Sequence, residues 1–382
     1  MSEVKILHCI RQGQIGGGES HVLDLVQNLN QNRFKSSVLS FTTGPMIDQL
    51  TNLGIPNYVI PTEFPFDFRT WGKVSKLIRN NQFNLIHIHG TRALSNCFLA
   101  ATRNNIPIIY TVHGWSFHNY QNIFRRKISI LAERYLCSFA KAIINVSEYN
   151  RQIGLAHIPA LHSTVIQNGI DTGKFEPALN HKDIRAELKI GPDKILIGFI
   201  SRMTYQKDPI TLIKAFHLLQ QKTKNKDRFR LLMVGEGDMK GEAIKMAKEL
   251  NLTASIHFEN FRNDVPDILS ALNIYCLPSL WEGLPLGVLE AMASEKIVVA
   301  SSVDGTREVI KHSVNGYLFS PGNSEQLSRL LEEGCQKNEA NEKIKLNARK
   351  TIHDSFTIQK MVSKTEKVYQ DVLDKNTNYF QN

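Results

Sequence analysis

The sequence predicts an α/β protein with two doubly wound, Rossmann-like domains that face each other across a cleft. Short apolar runs alternate with helix-length amphipathic stretches along the chain, which favours parallel sheets with right-handed crossovers. The 382 residues exceed what one hydrophobic core usually supports. The alternation also breaks once, in a polar stretch with two glycines and a proline, as expected between two domains.

Thirteen apolar runs have the length of strands, seven before this break and six after it. They cover residues 4–10, 38–41, 58–60, 85–88, 108–112, 142–146 and 165–166, and then 195–200, 230–234, 255–258, 274–277, 297–300 and 317–319. Doubly wound domains bind their ligands at the carboxyl ends of the strands, so we expect functional residues in the segments that follow these runs.

The position of the break sets the domain boundaries. We interpret residues 1–172 as an N-terminal Rossmann-like domain, residues 173–193 as a linker and residues 194–354 as a C-terminal Rossmann-like domain. The pattern over residues 339–373 is helical. We expect residues 355–382 to form a helix that packs back on the N-terminal domain.

The composition is that of an ordinary soluble protein, with 42% hydrophobic and 21% charged residues. The five cysteines are scattered and form no CxxC pair, so we expect them to be reduced and packed. The N-terminus lacks the features of a signal peptide, and no stretch approaches 18 apolar residues. These observations predict a cytoplasmic protein.

The net charge of +10 is unevenly distributed. Residues 1–172 hold 16 Lys and Arg against nine Asp and Glu, whereas the remainder is nearly balanced. This excess favours an anionic partner for the first half, such as a membrane surface, a phosphorylated acceptor or a nucleic acid. A solvated charge excess without a partner is the alternative.

The segment Trp281 to Ala291, WEGLPLGVLEA, places Glu282 in a predicted loop and Glu290 about two turns down a predicted helix that covers residues 288–293. Eight residues separate the carboxylates by about 12 Å. Glycosidase carboxylates lie roughly 5 to 9.5 Å apart, so this spacing argues against that chemistry. It suits the two ends of an elongated ligand, with amides of residues 283–286 available to an anion at the helix N-terminus. Two unrelated glutamates are the alternative.

Two further segments suit an anionic ligand. Gly16, Gly17 and Gly18 follow the first strand and lead into a helix predicted from His21, which allows close approach of a phosphate. Arg202 and Lys207 flank a short loop after the strand 195–200, before a helix that Asp208 and Pro209 should start. Two cations there suit a diphosphate, both as a ligand and as a leaving group. A flexible turn and an exposed basic loop are the respective alternatives.

The sequence contains no DxD motif, and the histidines suggest no metal site. His87 and His89 share a strand face, but no third ligand is apparent, so packing is favoured over metal binding. His113 lies at the end of a strand, where a neutral imidazole can hydrogen-bond a sugar hydroxyl. A structural histidine that caps the strand is the alternative.

Two weaker patterns complete the set. Gly235 belongs to a Gly-Glu-Gly turn of the kind that binds nucleotides, although a lone GxG is not specific. Residues 122–139 form an amphipathic helix that can lie on anionic lipid, or that packs an apolar stripe against a sheet. Its apolar residues are Phe124, Ile128, Leu131, Tyr135 and Leu136, and the adjacent basic residues are Arg125, Arg126 and Lys127.

Together these motifs resemble those of the glycosyltransferase family 4 ("group 1") enzymes of GT-B fold that build bacterial cell-surface polysaccharides. The matching segments are 16–19, 111–114, 146–148, 165–171, 202–207, 234–237, 278–285, 290–293 and 315–316. Two positions depart from the family pattern. In the family, Phe-Gly often follows the first Glu, whereas this chain has Gly283-Leu284-Pro285-Leu286-Gly287 there. The family also usually has Gly before the arginine of the donor loop, whereas this chain has Ser201 before Arg202.

The resemblance implies roles for both domains. The N-terminal domain binds the acceptor, with Gly16 and Gly17 near the diphosphate and His113 on the transferred sugar. The C-terminal domain binds the nucleotide sugar. There, Arg202 and Lys207 hold the diphosphate and Glu290 the ribose. Glu282, Gly235 and the backbone of residues 283–286 complete the donor site.

The resemblance also implies a retaining, metal-independent hexosyltransferase that uses a nucleotide-diphosphate sugar, of UDP type, and no cofactor. Its acceptor is a lipid-linked or other glycan. Arg125, Arg126 and Lys127 then suggest peripheral contact with an anionic membrane at its inner face, and no nucleic-acid partner is expected. A nucleotide-sugar isomerase of the 2-epimerase type and a non-catalytic sugar-nucleotide-binding subunit are the alternatives.

Overall fold

The computed structural model describes residues 3–118, 121–158, 162–223 and 225–379. The chain divides into two compact units, one formed by residues 1–169 with 358–382 and the other by residues 170–357. Each unit contains a parallel sheet with helices between its strands. The predicted α/β class, with two Rossmann-like domains, is therefore confirmed.

The first unit is built on seven strands and six helices that alternate along the chain. The strands are β1 Val4–Ile10, β2 Phe34–Ser40, β3 Asn57–Val59, β4 Leu85–His89, β5 Ile108–Val112, β6 Ala142–Asn145 and β7 Ser163–Val165. The helices are α1 Gly17–Asn28, α2 Pro45–Asn52, α3 Phe68–Asn81, α4 Thr91–Arg103, α5 Ile123–Cys137 and α6 Glu148–His157. The strand order β3-β2-β1-β4-β5-β6-β7 reverses direction between β1 and β4, as in doubly wound sheets.

The second unit repeats this plan with six strands. The strands are β8 Ile195–Ile200, β9 Phe229–Val234, β10 Ile256–Glu259, β11 Ile274–Leu277, β12 Ile297–Ser301 and β13 Tyr317–Phe319. The helices are α7 Ile184–Glu187, α8 Pro209–Lys222, α9 Lys240–Glu249, α10 Val265–Ala271, α11 Leu286–Ala293, α12 Asp304–Val309, α13 Ser324–Gly334 and α14 Glu339–Ser355. The order is β10-β9-β8-β11-β12-β13, with the reversal between β8 and β11.

All thirteen predicted strands are present. Strands that are covered on both faces can be predicted because they appear in the sequence as short continuous apolar runs. In β4, β11 and β12 every residue is buried. The five cysteines are unpaired, four of them buried and Cys335 half-buried. No helix among the described residues is both long and apolar enough to cross a bilayer.

The C-terminal helix, α15 (Ile358–Tyr379), belongs to the first unit. Ile358 and Met361 pack in one apolar cluster with Ile6 and Leu25. The helical pattern predicted for residues 339–373 is divided at residues 356–357, where the chain leaves the second unit.

The segment 173–193, which we predicted to be a linker, belongs to the second unit. The Asp183 side chain caps α7, and the Arg185 guanidinium donates to the Ala271 carbonyl at 2.9 Å and to the Asn273 side chain at 2.7 Å. Side-chain hydrogen bonds hold this segment in place. A polar composition with glycine and proline does not reveal such bonds.

Candidate functional site

In the second unit, the loops that follow the neighbouring strands β8 and β11 are joined to each other. The Leu280 amide donates to the Gln206 carbonyl, and the Gln206 side chain donates to the Trp281 carbonyl, both at 2.8 Å. These reciprocal bonds fix residues 205–207 relative to residues 279–282. The predicted cationic loop and the predicted glutamate loop therefore form one structure.

Lys207 and Glu282 form a largely buried ion pair at this junction. The Lys207 Nζ lies 2.5 Å from Glu282 Oε1, and Ser279 Oγ donates to the same oxygen at 2.5 Å. The Glu282 side chain is only 6% exposed and that of Lys207 16%. We predicted that both residues would serve a ligand, and the structure shows that they also bind each other.

Arg202 differs from Lys207 in its surroundings. Its side chain is exposed, and within the described ranges no hydrogen bond or ion pair of its guanidinium is found. The predicted start of α8 is confirmed, since the Asp208 carboxylate accepts from the Thr211 amide at 3.1 Å and Pro209 is the first helical residue. Arg202 thus remains available to an anion, whereas Lys207 is already held.

Helix α11 begins at Leu286, two residues earlier than we predicted, with Pro285 as its N-cap. Glu290 is therefore the fifth helical residue, and the estimate of two turns was too long. The first amides of a helix have no intrahelical partner, so those of Leu286 and Gly287 can meet an anion. The sequence pattern did not show that Pro285 caps this helix, so the predicted helix start was two residues too late.

Tyr275, in β11, lies close to both glutamates. Burial raises the pKa of Tyr275 well above its usual value, and the carboxylates of Glu290 and Glu282 raise it further. A Cβ on Gly287 would lie 2.4 Å from the Tyr275 hydroxyl, so glycine is required for α11 to pack here. Tyr275 could not be singled out from the sequence, because it lies within an apolar strand.

The Gly235 turn supports the Arg202 loop through the backbone. Gly235 has φ +140°, and a Cβ there would lie 2.1 Å from the Ser201 carbonyl oxygen. The Met203 amide donates to the Glu236 carbonyl at 2.8 Å. Gly305 acts similarly, since its Cβ would lie 1.9 Å from the Gly283 carbonyl oxygen. The structure therefore gives Gly235 a packing role beside any contact with a ligand.

In the first unit, α1 begins at Gly17 and not at His21, so the glycines form the N-terminus of the helix itself. Gly16 is the N-cap, and a Cβ on Gly17 would meet no atom within 4 Å. A Cβ on Gly18 would contact the His113 ring at 3.7 Å. The structure therefore places the glycine-rich turn beside the predicted sugar-binding histidine.

Partly exposed His113 belongs to a cluster of imidazoles, otherwise buried, that the sequence did not reveal. His89 Nδ1 and His113 Nε2 lie 3.1 Å apart, and the His21 and His113 ring centroids lie 4.8 Å apart. Burial lowers the pKa of His113 and of His89 well below the usual value, and that of His21 to about 4. These side chains are therefore neutral at pH 7. The sequence places them 24 or more residues apart, which concealed the cluster.

Glu133, on α5, is a buried carboxyl that anchors the segment after His113. It accepts from Thr91 Oγ1 at 2.6 Å and from the Ser116 amide at 3.2 Å. Burial raises the pKa of Glu133, although these hydrogen bonds lower it in part. An isolated glutamate in an amphipathic helix carries no signal for this role.

The outer face of α5 presents an apolar stripe to solvent. Phe124, Ile128, Leu131 and Tyr135 are 73%, 67%, 62% and 54% exposed. The alternative that this stripe packs against a sheet is therefore wrong for these residues, and only Leu136 is buried. Leu136 faces the core because it lies one position away from the stripe.

The three basic residues of α5 differ in their exposure and in their contacts. Arg125 and Lys127 are exposed, whereas the Arg126 guanidinium lies 3.0 Å from His157 Nε2 on α6. Arg126 is therefore engaged within the unit. Two further aromatic residues are exposed, Phe64 in the segment between β3 and α3 and Phe68 at the start of α3.

Comparison with known proteins assigns both halves of the chain. The sequence model described as "Glycosyl transferases group 1" matches residues 180–351, and that described as "Glycosyltransferase Family 4" matches residues 15–174. The chain belongs to the group 1 glycosyltransferases. The family and the enzyme class predicted from the motifs are confirmed.

Relatives and solved structures agree with this assignment along the whole chain. UDP-Gal:alpha-D-GlcNAc-diphosphoundecaprenol alpha-1,3-galactosyltransferase of Escherichia coli is 25% identical over 97% of this chain and 98% of its own length. The putative glycosyltransferase EpsD of Bacillus subtilis is 25% identical over 82% of this chain and 84% of its own. Anabaena HepE, solved with UDP and glucose, has TM-score 0.84 at 22% identity and covers 97% of this chain and 100% of its own. The fold of this group 1 glycosyltransferase is thus GT-B.

Proposed function

We propose that this chain is a retaining, metal-independent glycosyltransferase that moves a hexose from a UDP-sugar to a lipid-linked or other glycan acceptor in cell-surface polysaccharide biosynthesis. The observation that carries this proposal is the pair of cations after β8, with Arg202 exposed and Lys207 held by Glu282. The relatives named above support the donor and acceptor classes.

The second unit has the groups that a nucleotide-diphosphate sugar requires. Arg202 and Lys207 bind the diphosphate, and the amides at the start of α11 meet one of its phosphates. Glu290 accepts hydrogen bonds from the ribose hydroxyls. The backbone of Gly283 to Leu286 contacts the sugar or the phosphates, and the Gly235 turn fixes the Arg202 loop.

Glu282 has two tasks in this proposal. It holds the Lys207 ammonium in place through a short, largely buried contact. Its other oxygen, Oε2, remains to accept a hydrogen bond from the transferred sugar. Lys207 is thus oriented before the donor binds, which reduces the reorganisation needed in the transition state.

In the transfer step, the bond between the anomeric carbon and the β-phosphate oxygen breaks as the acceptor oxygen bonds to the same carbon from the same face. The departing phosphate oxygen takes the proton of the acceptor hydroxyl. UDP therefore leaves with this proton on its β-phosphate. Arg202 and Lys207 stabilise the charge that develops on the diphosphate. Side-chain cations and helix amides thus supply what a divalent ion supplies in DxD enzymes.

The first unit supplies neutral groups. We propose that Gly16 and Gly17, at the N-terminus of α1, approach a diphosphate oxygen, and that the neutral His113 imidazole hydrogen-bonds a hydroxyl of the transferred sugar. Glu133 positions the His113 segment through Ser116 and Thr91.

We also propose that α5 docks on an anionic membrane surface. Its exposed stripe begins at Phe124, beside Arg125 and Lys127, and combines apolar area with positive charge. The aromatic residues Phe66 and Tyr135 both contact the Phe98 ring, at 6.2 and 5.8 Å between ring centroids. The segment with Phe64 and Phe68 therefore adjoins the stripe and enlarges the apolar patch. A polyprenyl-linked acceptor is presented at such a surface.

A donor panel tests the proposed function. Thermal unfolding is recorded with UDP-, GDP- and dTDP-hexoses, and a ligand at 100 times its Kd stabilises the folded protein by about 2.7 kcal/mol. We expect UDP-hexoses to give the largest shift, and Lys207→Ala to reduce it. The proposal fails if no nucleotide sugar shifts the transition. Product linkage by NMR then tests retention, since an inverted anomer would exclude it.

A further inference from the structure

Three histidines from three separate elements converge in the first unit. His21 lies in α1, His89 at the end of β4 and His113 just after β5. One ring nitrogen from each lies within 4.8 Å of the others. The described residues place no acidic group in this cluster, so its ligand chemistry is that of imidazole alone.

The spacing fits a small coordinated ion. Zinc–nitrogen bonds of roughly 2.05 Å in tetrahedral geometry place two ligand nitrogens about 3.3 Å apart. His89 Nδ1 and His113 Nε2 are 3.1 Å apart. The pair therefore approximates one edge of such a site before any adjustment, and the His21 ring adjoins both members, with centroids 5.6 Å from His89 and 4.8 Å from His113.

Two nitrogens of the trio are also unsatisfied. His21 Nδ1 and His89 Nε2 are buried and have no hydrogen-bond partner among the residues that the structure describes. Buried polar atoms are normally paired. A metal bound by His89 Nδ1, His113 Nε2 and His21 Nδ1 would give His21 Nδ1 a partner, and would leave His89 Nε2 unpaired.

A second trio, His8, His87 and His89, is less suitable. His87 already uses both nitrogens, with Nδ1 2.6 Å from the Tyr369 hydroxyl and Nε2 2.7 Å from Thr111 Oγ1. A metal there would have to break one of these bonds to a hydroxyl, whereas in the first trio it would replace the hydrogen bond between its own ligands His89 Nδ1 and His113 Nε2. His8 and His87 are also fully buried, whereas His113 is partly exposed and offers a path for an ion.

We propose that His21, His89 and His113 bind one divalent transition-metal ion of the zinc type, with the fourth position left to water. Imidazole is a preferred ligand of zinc, and three protein ligands with one open position form a common zinc site. This binding site does not depend on the proposed transferase function. Because His113 is also the proposed sugar contact, metal and sugar would be alternative occupants, and transfer itself needs no metal.

Cobalt binding tests the proposal on the full chain, without a polyhistidine tag and after removal of metals with a chelator. We expect one Co²⁺ per chain, with the intense visible absorption of a four-coordinate ion, and displacement of that absorption by Zn²⁺. His21→Ala and His89→Ala should each weaken Co²⁺ binding more than tenfold, whereas His353→Ala, at an exposed position of α14, should not.

Thermal unfolding separates lost binding from lost folding. Zn²⁺ should raise the unfolding temperature of the wild type and of His353→Ala, and should leave that of a folded His21→Asn variant unchanged. The proposal is overturned if the wild type shows no stoichiometric Co²⁺ absorption. It is equally overturned if the His21 and His89 variants bind Co²⁺ as the wild type does.

Discussion

The two units share a parallel-sheet plan but differ in how they use polar side chains. The second unit places ion pairs around its strand ends, with Lys207–Glu282 next to the exposed Arg202. The first unit places neutral imidazoles at the carboxyl ends of its strands, with His89 buried and His113 partly exposed. One fold thus supports two electrostatic environments.

This difference in side-chain charge indicates which ligand groups each unit can bind. A diphosphate requires fixed positive charge, and the second unit supplies it without the reorganisation that free side chains would need. Sugar hydroxyls require neutral donors and acceptors, which the imidazoles of the first unit supply. The predictions below test this division of charge, in order of decreasing effect.

The largest effect is expected for the cations of the second unit. Arg202→Ala and Lys207→Ala should each lower kcat roughly 10²-fold, because loss of one such electrostatic contact costs about 3 kcal/mol. Steady-state rates with a UDP-hexose measure this. Lys245→Ala, an exposed lysine of α9 in the same unit, is the control. Rates within threefold of wild type in both variants would contradict the assignment.

The second effect concerns the charged surface of the first unit. Changing Arg125 and Lys127 to Glu should weaken binding to anionic liposomes at least 30-fold, since each basic residue contributes about 1 kcal/mol at such a surface. Co-sedimentation at low and high salt measures it. The same charge change at Lys245 and Lys248, in the second unit, is the control. Equal binding to neutral and anionic liposomes would favour a soluble acceptor.

The third effect separates the two glutamates. Glu290→Ala should raise the donor KM about tenfold, the cost of one or two hydrogen bonds to charged groups, with a smaller change in kcat. Glu282→Gln should lower kcat, because Lys207 loses its charged partner. If Glu290→Ala abolished turnover without weakening nucleotide binding, while Glu282→Gln changed nothing, the roles would be reversed.

The smallest effect concerns the buried carboxyl of the first unit. Because the pKa of Glu133 is raised, the folded state retains a proton that the unfolded state releases above its ordinary pKa. The contribution of Glu133 to stability is therefore present at low pH and is lost as pH rises through the folded pKa. Glu133→Gln keeps an acceptor for Thr91 and Ser116 but does not titrate.

Thermal unfolding at pH 5 and pH 7 checks this prediction. The stability of Glu133→Gln relative to wild type should increase from pH 5 to pH 7, because only the wild type loses stability as Glu133 ionises. A constant difference between the proteins would show that Glu133 does not titrate between pH 5 and pH 7, and would contradict the prediction.

The sequence predicted the strands and the site-bearing loops better than it predicted side-chain partners. Each strand was visible as an apolar run, and most of these strands are buried on both faces, which selects such residues. The Lys207–Glu282 pair was not visible, because its members are 75 residues apart and meet only through strand pairing. For the same reason the trio of His21, His89 and His113 escaped notice. The cap of α8 at Asp208 was visible in the sequence, whereas the start of α11 was placed two residues late. The side-chain hydrogen bonds that hold segment 173–193 were not visible either, because their partners are distant in the sequence.

The most direct test of the proposed function is the release of UDP from a UDP-hexose in excess EDTA, with and without a polyprenyl-diphosphate-linked sugar acceptor. We expect release to require the acceptor, to proceed at the same rate with or without EDTA, and to fall in Lys207→Ala. Consumption of the donor without acceptor would indicate an isomerase, and binding without any release would indicate a non-catalytic subunit. Loss of activity in EDTA that Mg²⁺ or Mn²⁺ restores would contradict the central claim that Arg202 and Lys207 neutralise the diphosphate.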